Sequence, residues 1–418
     1  MTRDGSWRVR PGTRAALAAL AAGGAALAVA GCSCEGPKPR DLAMADGMPA
    51  IRVKLGADVP ALAIAVDAPY RLTGDAREAG AGASLPWTAV EPAPRGFRVG
   101  GRTVAGGRLE LVPGGDAAFR LRQKVNGADR ERSYRGSLRI EKTSDGRLRA
   151  VNVVPAEAYV AGVVPNEMPT RWSVEALKAQ AVAARSFALA ERLVHRADAF
   201  DVFDSAQSQV YGGADTETAK TWEATAATRG VVAVYRGPGG ARMLLKTYYH
   251  STCGGATCAS EIAFGGTTPP PLRGVTCPYC RDSRMFEWKD VEISKREMTE
   301  ALRASGVPSL RTLDTITHLE IAQADPNGRA VTIRVVDTTG RSLRIDAGEW
   351  RLMVGPRRLP STWFTVRDGG DRFLLQGHGW GHGVGMCQWG AAYLAERGQT
   401  GEQILRFYYP GIELTRAY

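Results

Sequence analysis

Glu167 sits in the run Val164-Pro165-Asn166-Glu167-Met168-Pro169, where two prolines disfavour a regular helix and predict a bend. A carboxyl held on such a bend beside apolar Val164 and Met168 is partly desolvated, which raises its pKa and suits it to donate a proton and recover one. Cleavage of a glycosidic bond needs such an acid against the bridging oxygen. Hydrolytic glycosidases pair two carboxyls so that one activates water.

Cys253, Cys258, Cys277 and Cys280 form a second constellation, with His250 three positions before the first and a two-residue spacer inside Cys277-Pro278-Tyr279-Cys280. Paired cysteines plus a histidine suit a tetrahedral zinc site. Two disulfides suit them as well in an exported protein, and either reading is structural rather than catalytic. His378 and His382, four positions apart, would share one face of a helix, but a glycine at every second position from Gly377 to Gly385 argues against one. Those glycines predict unusual torsions or the close approach of another chain segment. The His-Glu-x-x-His pattern of zinc proteases is absent. The two imidazoles are therefore expected to shape or bind at a cleft beside Glu167, or to pack the turn. Arg185 is a long cation in an alanine-rich stretch. It is expected to orient Glu167 or grip a substrate oxygen, with a structural ion pair as the alternative.

Several elements must hold these groups. Short apolar or alternating segments at 51–55, 61–66, 97–99, 109–112, 117–121 and 136–141, separated by glycine turns, predict a β-rich lead-in over 51–147. From 148 a strand at 151–154 leads to a short helix at 156–163. After the Glu167 bend, Ser173 caps a long helix with apolar or small residues from Val174 through Leu193. Strands are predicted at 231–235, 244–249, 316–322, 330–336, 342–346 and 373–375, and helices at 292–305, 387–397 and 403–409. The fold class is α+β: a β-rich lead-in, then a mixed α/β catalytic domain over 148–418.

Three segments resemble the stage II sporulation protein D family of peptidoglycan lytic transglycosylases. The first is Gly162-Val163-Val164-Pro165-Asn166-Glu167-Met168-Pro169, running into the helix from Glu175 to Ser186. The second is Tyr248-Tyr249-His250-Ser251-Thr252-Cys253-Gly254-Gly255 with Thr257-Cys258. The third runs from His378 through Gly-Trp-Gly-His-Gly-Val-Gly-Met-Cys-Gln-Trp-Gly to Ala391. The resemblance spans about residues 150–414 in the family's order. It implies that Glu167 protonates the leaving oxygen and then, as carboxylate, deprotonates the sugar's own 6-hydroxyl, giving an anhydro end without a cofactor. It also implies that Ser205, Gln207 and Tyr211 line a sugar groove, although turn chemistry explains them nearly as well. It partly supports structural zinc near the second segment. Cys387 stands where the family usually has serine, which leaves a reactive thiol open. Two other readings are a zinc amidase or peptidase, and a non-enzymatic wall-binding module that enhances an amidase.

The chain has 54 Lys and Arg against 43 Asp and Glu, a formal charge of +11 that suits an anionic partner. Zinc-finger spacing, helix-turn-helix signals and aromatic RNA-binding strands are missing, which argues against nucleic acid, while peptidoglycan, teichoic acid and anionic lipid would all suit the charge; the resemblance implies peptidoglycan glycan strands as the partner. Basic residues lead into an alanine-rich run from Ala15 to Ala30 that ends in Val29-Ala30-Gly31-Cys32. This resembles a lipoprotein signal over 1–31, with Cys32 acylated at the head of a tether over 32–50; an ordinary cleaved signal peptide and an uncleaved membrane anchor are the alternative readings. Export to the bacterial envelope, a membrane contact through the lipid and an amidase partner are the corresponding expectations.

Overall fold

The computed structural model describes residues 47–75, 77–125 and 127–418, with backbone alone at 7–8 and 290. Cys32 and, apart from 7–8, the expected signal lie outside the described residues. The chain divides into two compact units, one of 36–247 with 413–418 and the other of 1–35 with 248–412. Both mix helices with strands, so the α+β class holds. No helix among the described residues is long and apolar enough to cross a membrane.

The first unit carries the β-rich lead-in. A six-stranded sheet runs in the order 128–134, 119–125, 62–66, 85–93, 96–99, 102–105, and a seven-stranded sheet in the order 202–203, 50–54, 148–155, 137–142, 108–113, 70–74, 77–82. The expected boundary at 147/148 does not appear. Strand Leu148–Pro155 is central to the second sheet, antiparallel to both 137–142 and 50–54, so lead-in and Glu167 region share one core. Its pattern of buried Leu148, Ala150, Val151 and Val154 leaves no exposed face on which to separate.

Strand Leu148–Pro155 passes directly into helix α1 (Ala156–Glu167), and Ser173 opens helix α2 (Val174–Val194) by accepting the Glu175 N–H on its hydroxyl. Every residue of α1 from Ala156 to Val164 is buried, as expected of a stretch that is apolar on every face but for Glu157. α1 extends four residues beyond the predicted end at 163, through Pro165 to Glu167. The proline falls in the last turn and removes only one ladder bond, while Met168 N–H still reaches Val164 O at 2.9 Å. Glu167 thus ends a helix instead of lying on a bend after it.

In the second unit, strands 316–324, 330–337 and 342–346 form an antiparallel run, edged in parallel by Trp7–Arg8, and 287–294, 372–378 and 363–368 form another sheet. Their shared core includes Trp350, Phe364, Phe373, Ile333 and Leu302. The expected helix at 292–305 is shorter, Lys295–Ala304, because Ser294 and Glu297 build a capping box that fixes its start.

Candidate active site and thiol cluster

Glu167 is half-buried at the C-terminal end of α1, where unpaired helix carbonyls put partial negative charge beside its carboxyl. Its Oε1 accepts the Val210 N–H at 2.8 Å. The segment that supplies this donor is held on both sides. Gln209 accepts the Tyr159 O–H on its Oε1 at 2.9 Å and gives its Nε2 to Ala184 O at 3.4 Å. Tyr211 donates its O–H to Asn152 Oδ1 at 3.0 Å. Asn166, next to the glutamate, bonds Gly162 O at 2.8 Å and Thr216 Oγ1 at 2.9 Å. Burial pushes the Tyr159 phenol well above its ordinary range, and the nearby Glu167 charge adds to the effect. It remains a donor, which fixes the direction of the bond to Gln209.

Two expected substrate contacts have other work. Tyr211 is 1% exposed and packs between Tyr134 and Tyr159, with ring centroids at 5.9 and 5.1 Å, so it supports the site from inside and does not line a groove. Arg185 is fully buried, and its guanidinium is taken by Glu157 at 3.1 and 2.5 Å with further bonds to Val231 O and Thr225 O. The ion-pair alternative describes it. Glu157 also accepts from Gly230 N–H and Tyr418 O–H, which completes the pairing. Ser205 is half-buried and Gln207 exposed on the turn before Val210, where both remain open to solvent.

In the second unit the sulfurs of Cys253, Cys277, Cys280 and Cys387 all lie within 4.8 Å of one another, and all four residues are buried. None is in a disulfide. The expected metal set of His250, Cys253, Cys258, Cys277 and Cys280 is therefore corrected: Cys387 replaces Cys258 and His250. Cys258 turns its sulfur to His382 O at 3.4 Å, and His250 points Nδ1 at Val384 O at 3.1 Å. Four sulfurs without histidine suit a closed structural metal position, not the open one that hydrolysis needs, so the thiol cluster gives the zinc amidase or peptidase reading no support. Hydrogen bonds from Cys253 hold the Cys280 and Cys277 thiols below the usual range, while a bond to Cys277 raises Cys253 and burial raises Cys387.

The glycine-rich turn is not helical. Gly379, Gly381, Gly383 and Gly385 all have positive φ, at 77°, 112°, 80° and 69°, and at Gly385 an added Cβ would fall 2.0 Å from Tyr248 O. Thr252 and Trp380 exchange both backbone bonds, at 3.1 and 2.8 Å, which ties the turn to the segment carrying Cys253. The two imidazoles face different neighbours. His378 lies 5.1 Å from the Trp363 ring, whereas His382 meets Phe264 at 5.0 Å and His250 at 5.5 Å. Neither joins a metal-holding group among the described residues. Burial pushes His250 down to about 4 and His382 well below its ordinary value.

Residues 144–235 match the family described as Stage II sporulation protein, and residues 279–385 match a domain of unknown function. An uncharacterized protein of Brachyspira hyodysenteriae is 34% identical over 282 residues, covering 67% of this chain and 72% of the relative. Stage II sporulation protein D of Bacillus subtilis is 29% identical over 309 residues, 70% of this chain and 82% of that protein. The chain belongs to the stage II sporulation protein D family.

The amidase enhancer of Bacillus subtilis is 31% identical over 294 residues, 61% of this chain but only 40% of that longer protein. Together these relatives support a cell-wall-related role for this member of the family. Sequence reasoning missed Glu157, Asn152 and Arg329, whose buried guanidinium donates to Cys253 O at 3.2 Å. Glu157 had a signal, a carboxylate in a helix otherwise apolar throughout. Arg329, in a hairpin turn, had none.

Proposed function

We propose that this stage II sporulation protein D family member is a lytic transglycosylase that cleaves peptidoglycan glycan strands, including strands stripped of their stem peptides, with Glu167 as acid and then base. The observation that carries this reading is a half-buried carboxyl fixed at a helix end by the Val210 N–H, with one oxygen engaged by backbone. Protonated, Glu167 gives its proton to the bridging oxygen as the bond from the anomeric carbon breaks. The carboxylate then takes the proton of the same sugar's 6-hydroxyl as that oxygen bonds to the anomeric carbon, so atoms and charge balance without added water or cofactor. Ser205 and Gln207, on the turn before Val210, are proposed as sugar contacts. His378 and His382 shape the glycine-rich turn. Export as a lipoprotein acylated at Cys32, and action at the cell envelope, complete the reading.

The deciding measurement is mass spectrometry of products from purified, peptide-free glycan incubated with wild type and with Glu167→Gln. Loss of one general acid/base predicts about 10²–10⁴-fold less anhydro product from the variant. Equal amounts would refute the assignment. The amidase enhancer relative favours a second reading, in which the protein stimulates a wall amidase without cutting glycan. Stimulation that survives Glu167→Gln, with no anhydro product from either protein, would support that one instead.

A further inference from the structure

Around the four converging thiols, three backbone N–H groups donate to sulfur, while Cys253 Sγ and Cys387 Sγ lie at the longer distances of 3.6 and 3.7 Å from Cys277 O and Ser251 O. The Cys253 N–H donates to Cys387 Sγ at 3.3 Å, Gly390 N–H to the same sulfur at 3.4 Å, and Gly255 N–H to Cys253 Sγ at 3.5 Å. The Tyr408 hydroxyl lies 3.2 Å from Cys277 Sγ. Donors aimed at sulfur favour the thiolate. Cys387 also caps helix Gln388–Glu396, whose N-terminal dipole acts in the same direction.

Arg329 supplies an independent observation. It is 1% exposed, yet no carboxylate pairs with its guanidinium among the described residues. Nη2 donates to Cys253 O at 3.2 Å, Nη1 has no hydrogen-bond partner, and the group lies 5.6 Å from the Trp363 ring centroid. A buried cation without a counter-charge is costly. Its one side-chain hydrogen bond leads to the backbone of a cluster cysteine.

We propose that Cys253, Cys277, Cys280 and Cys387 hold one zinc ion as a closed tetrathiolate and that Arg329 is the cation offsetting its charge. Four thiolates around Zn²⁺ leave a net charge of about −2, and zinc binding releases their protons to solvent. With Zn–S near 2.3 Å, tetrahedral sulfurs lie about 3.8 Å apart. The observed group, all within 4.8 Å with Cys253 and Cys280 at 3.3 Å, needs only small adjustments. Disulfides would pair sulfurs at about 2.0 Å and give no reason for all four to converge. The ligands come from the segment after His250, from Cys277-Pro278-Tyr279-Cys280 and from the end of the glycine-rich turn. The ion therefore fastens the turn bearing His378 and His382. This inference does not depend on the chemistry proposed for Glu167.

The test uses the purified full chain. Elemental analysis is expected to find about one zinc per chain, and cobalt(II) in its place to give a thiolate charge-transfer band. Cys387→Ser should remove about a quarter of that band, whereas Cys258→Ser and His250→Gln leave it intact. Arg329→Met should speed zinc loss to a chelating dye by about 10–100-fold, and Arg329→Lys, which keeps the charge, by less. If Cys387→Ser does not fold, alkylation of the wild-type chain decides: Cys253, Cys277, Cys280 and Cys387 should react together only after chelation. Zinc-free protein lighter by four hydrogens, a band lost in Cys258→Ser, or a different protected set overturns the site. Unchanged zinc loss in Arg329→Met overturns the role of the arginine.

Discussion

Two buried arginines distinguish the two units. Arg185, beside the α1 helix that ends in Glu167, meets Glu157, and that carboxylate is also held by Gly230 N–H and Tyr418 O–H. Arg329, in the unit with the thiols, meets a carbonyl, an indole face and a glycine. His250 Nε2 and His378 Nδ1 in that unit are likewise buried without a hydrogen-bond partner. A buried charge paired within the chain is architecture. One left without its counterpart marks a place where the missing partner comes from outside the chain.

The largest effect that tests this contrast is on the paired arginine. Arg185→Met leaves Glu157 buried as an uncompensated anion and should cost about 3–5 kcal/mol of stability. Urea unfolding measures it, and Glu157→Leu with Arg185→Met should restore most of the loss, since an apolar pair of similar volume replaces the ions. A single variant as stable as wild type would show that Arg185 is not the architectural element its contacts describe.

Next in size is the pH response of the thiol unit. His250 is held at about 4 by burial first and by the Arg329 charge second, against an ordinary value of 6.5. The folded state therefore refuses a proton that the unfolded chain accepts. The stability this contributes is complete above pH 6.5, falls as pH drops toward 4, and amounts to about 3 kcal/mol in all. His382 shifts in the same direction. Unfolding midpoints between pH 7 and 4.5 should fall less steeply in His250→Gln than in wild type. Parallel slopes would contradict the buried neutral ring.

Much of this was legible in the sequence. Alternation marked the lead-in strands at 50–54, 62–66 and 108–113, and Ser173 marked the start of α2. Strand 77–82 was not legible, because Arg77-Glu78-Ala79-Gly80-Ala81-Gly82 has no apolar face and is set by pairing with 70–74. The pairing of Leu148–Pro155 with Ala50–Lys54 joins residues about a hundred positions apart, so the boundary at 147/148 looked real when only local composition was read. The thiol site failed for the same reason. Cys253, Cys277 and Cys280 sit close in sequence, but Cys387 enters through the parallel pairing of Tyr249–His250 with Met386–Cys387, which spacing does not reveal. Glu167 was legible as a residue, while the Tyr159, Gln209 and Asn152 bonds that hold its donor segment were not, since buried polar networks leave no periodic trace.

The smallest effect is a difference between two glycines. Gly370 has φ +90° with nothing within 4 Å of an added Cβ, and Gly383 has φ +80° with that Cβ 2.5 Å from Arg329 Cζ. Alanine at either position pays about 1–2 kcal/mol for the left-handed torsion. Gly383→Ala must in addition push a guanidinium that burial keeps from retreating, for about 1 kcal/mol more at the low end of overpacking. Only Gly383→Ala should also hasten zinc loss, because only there does the strain fall on the cation bonded to Cys253 O. Equal stability and equal zinc retention in both variants would mean that Arg329 yields freely, and the contrast with Arg185 would then reduce to burial alone.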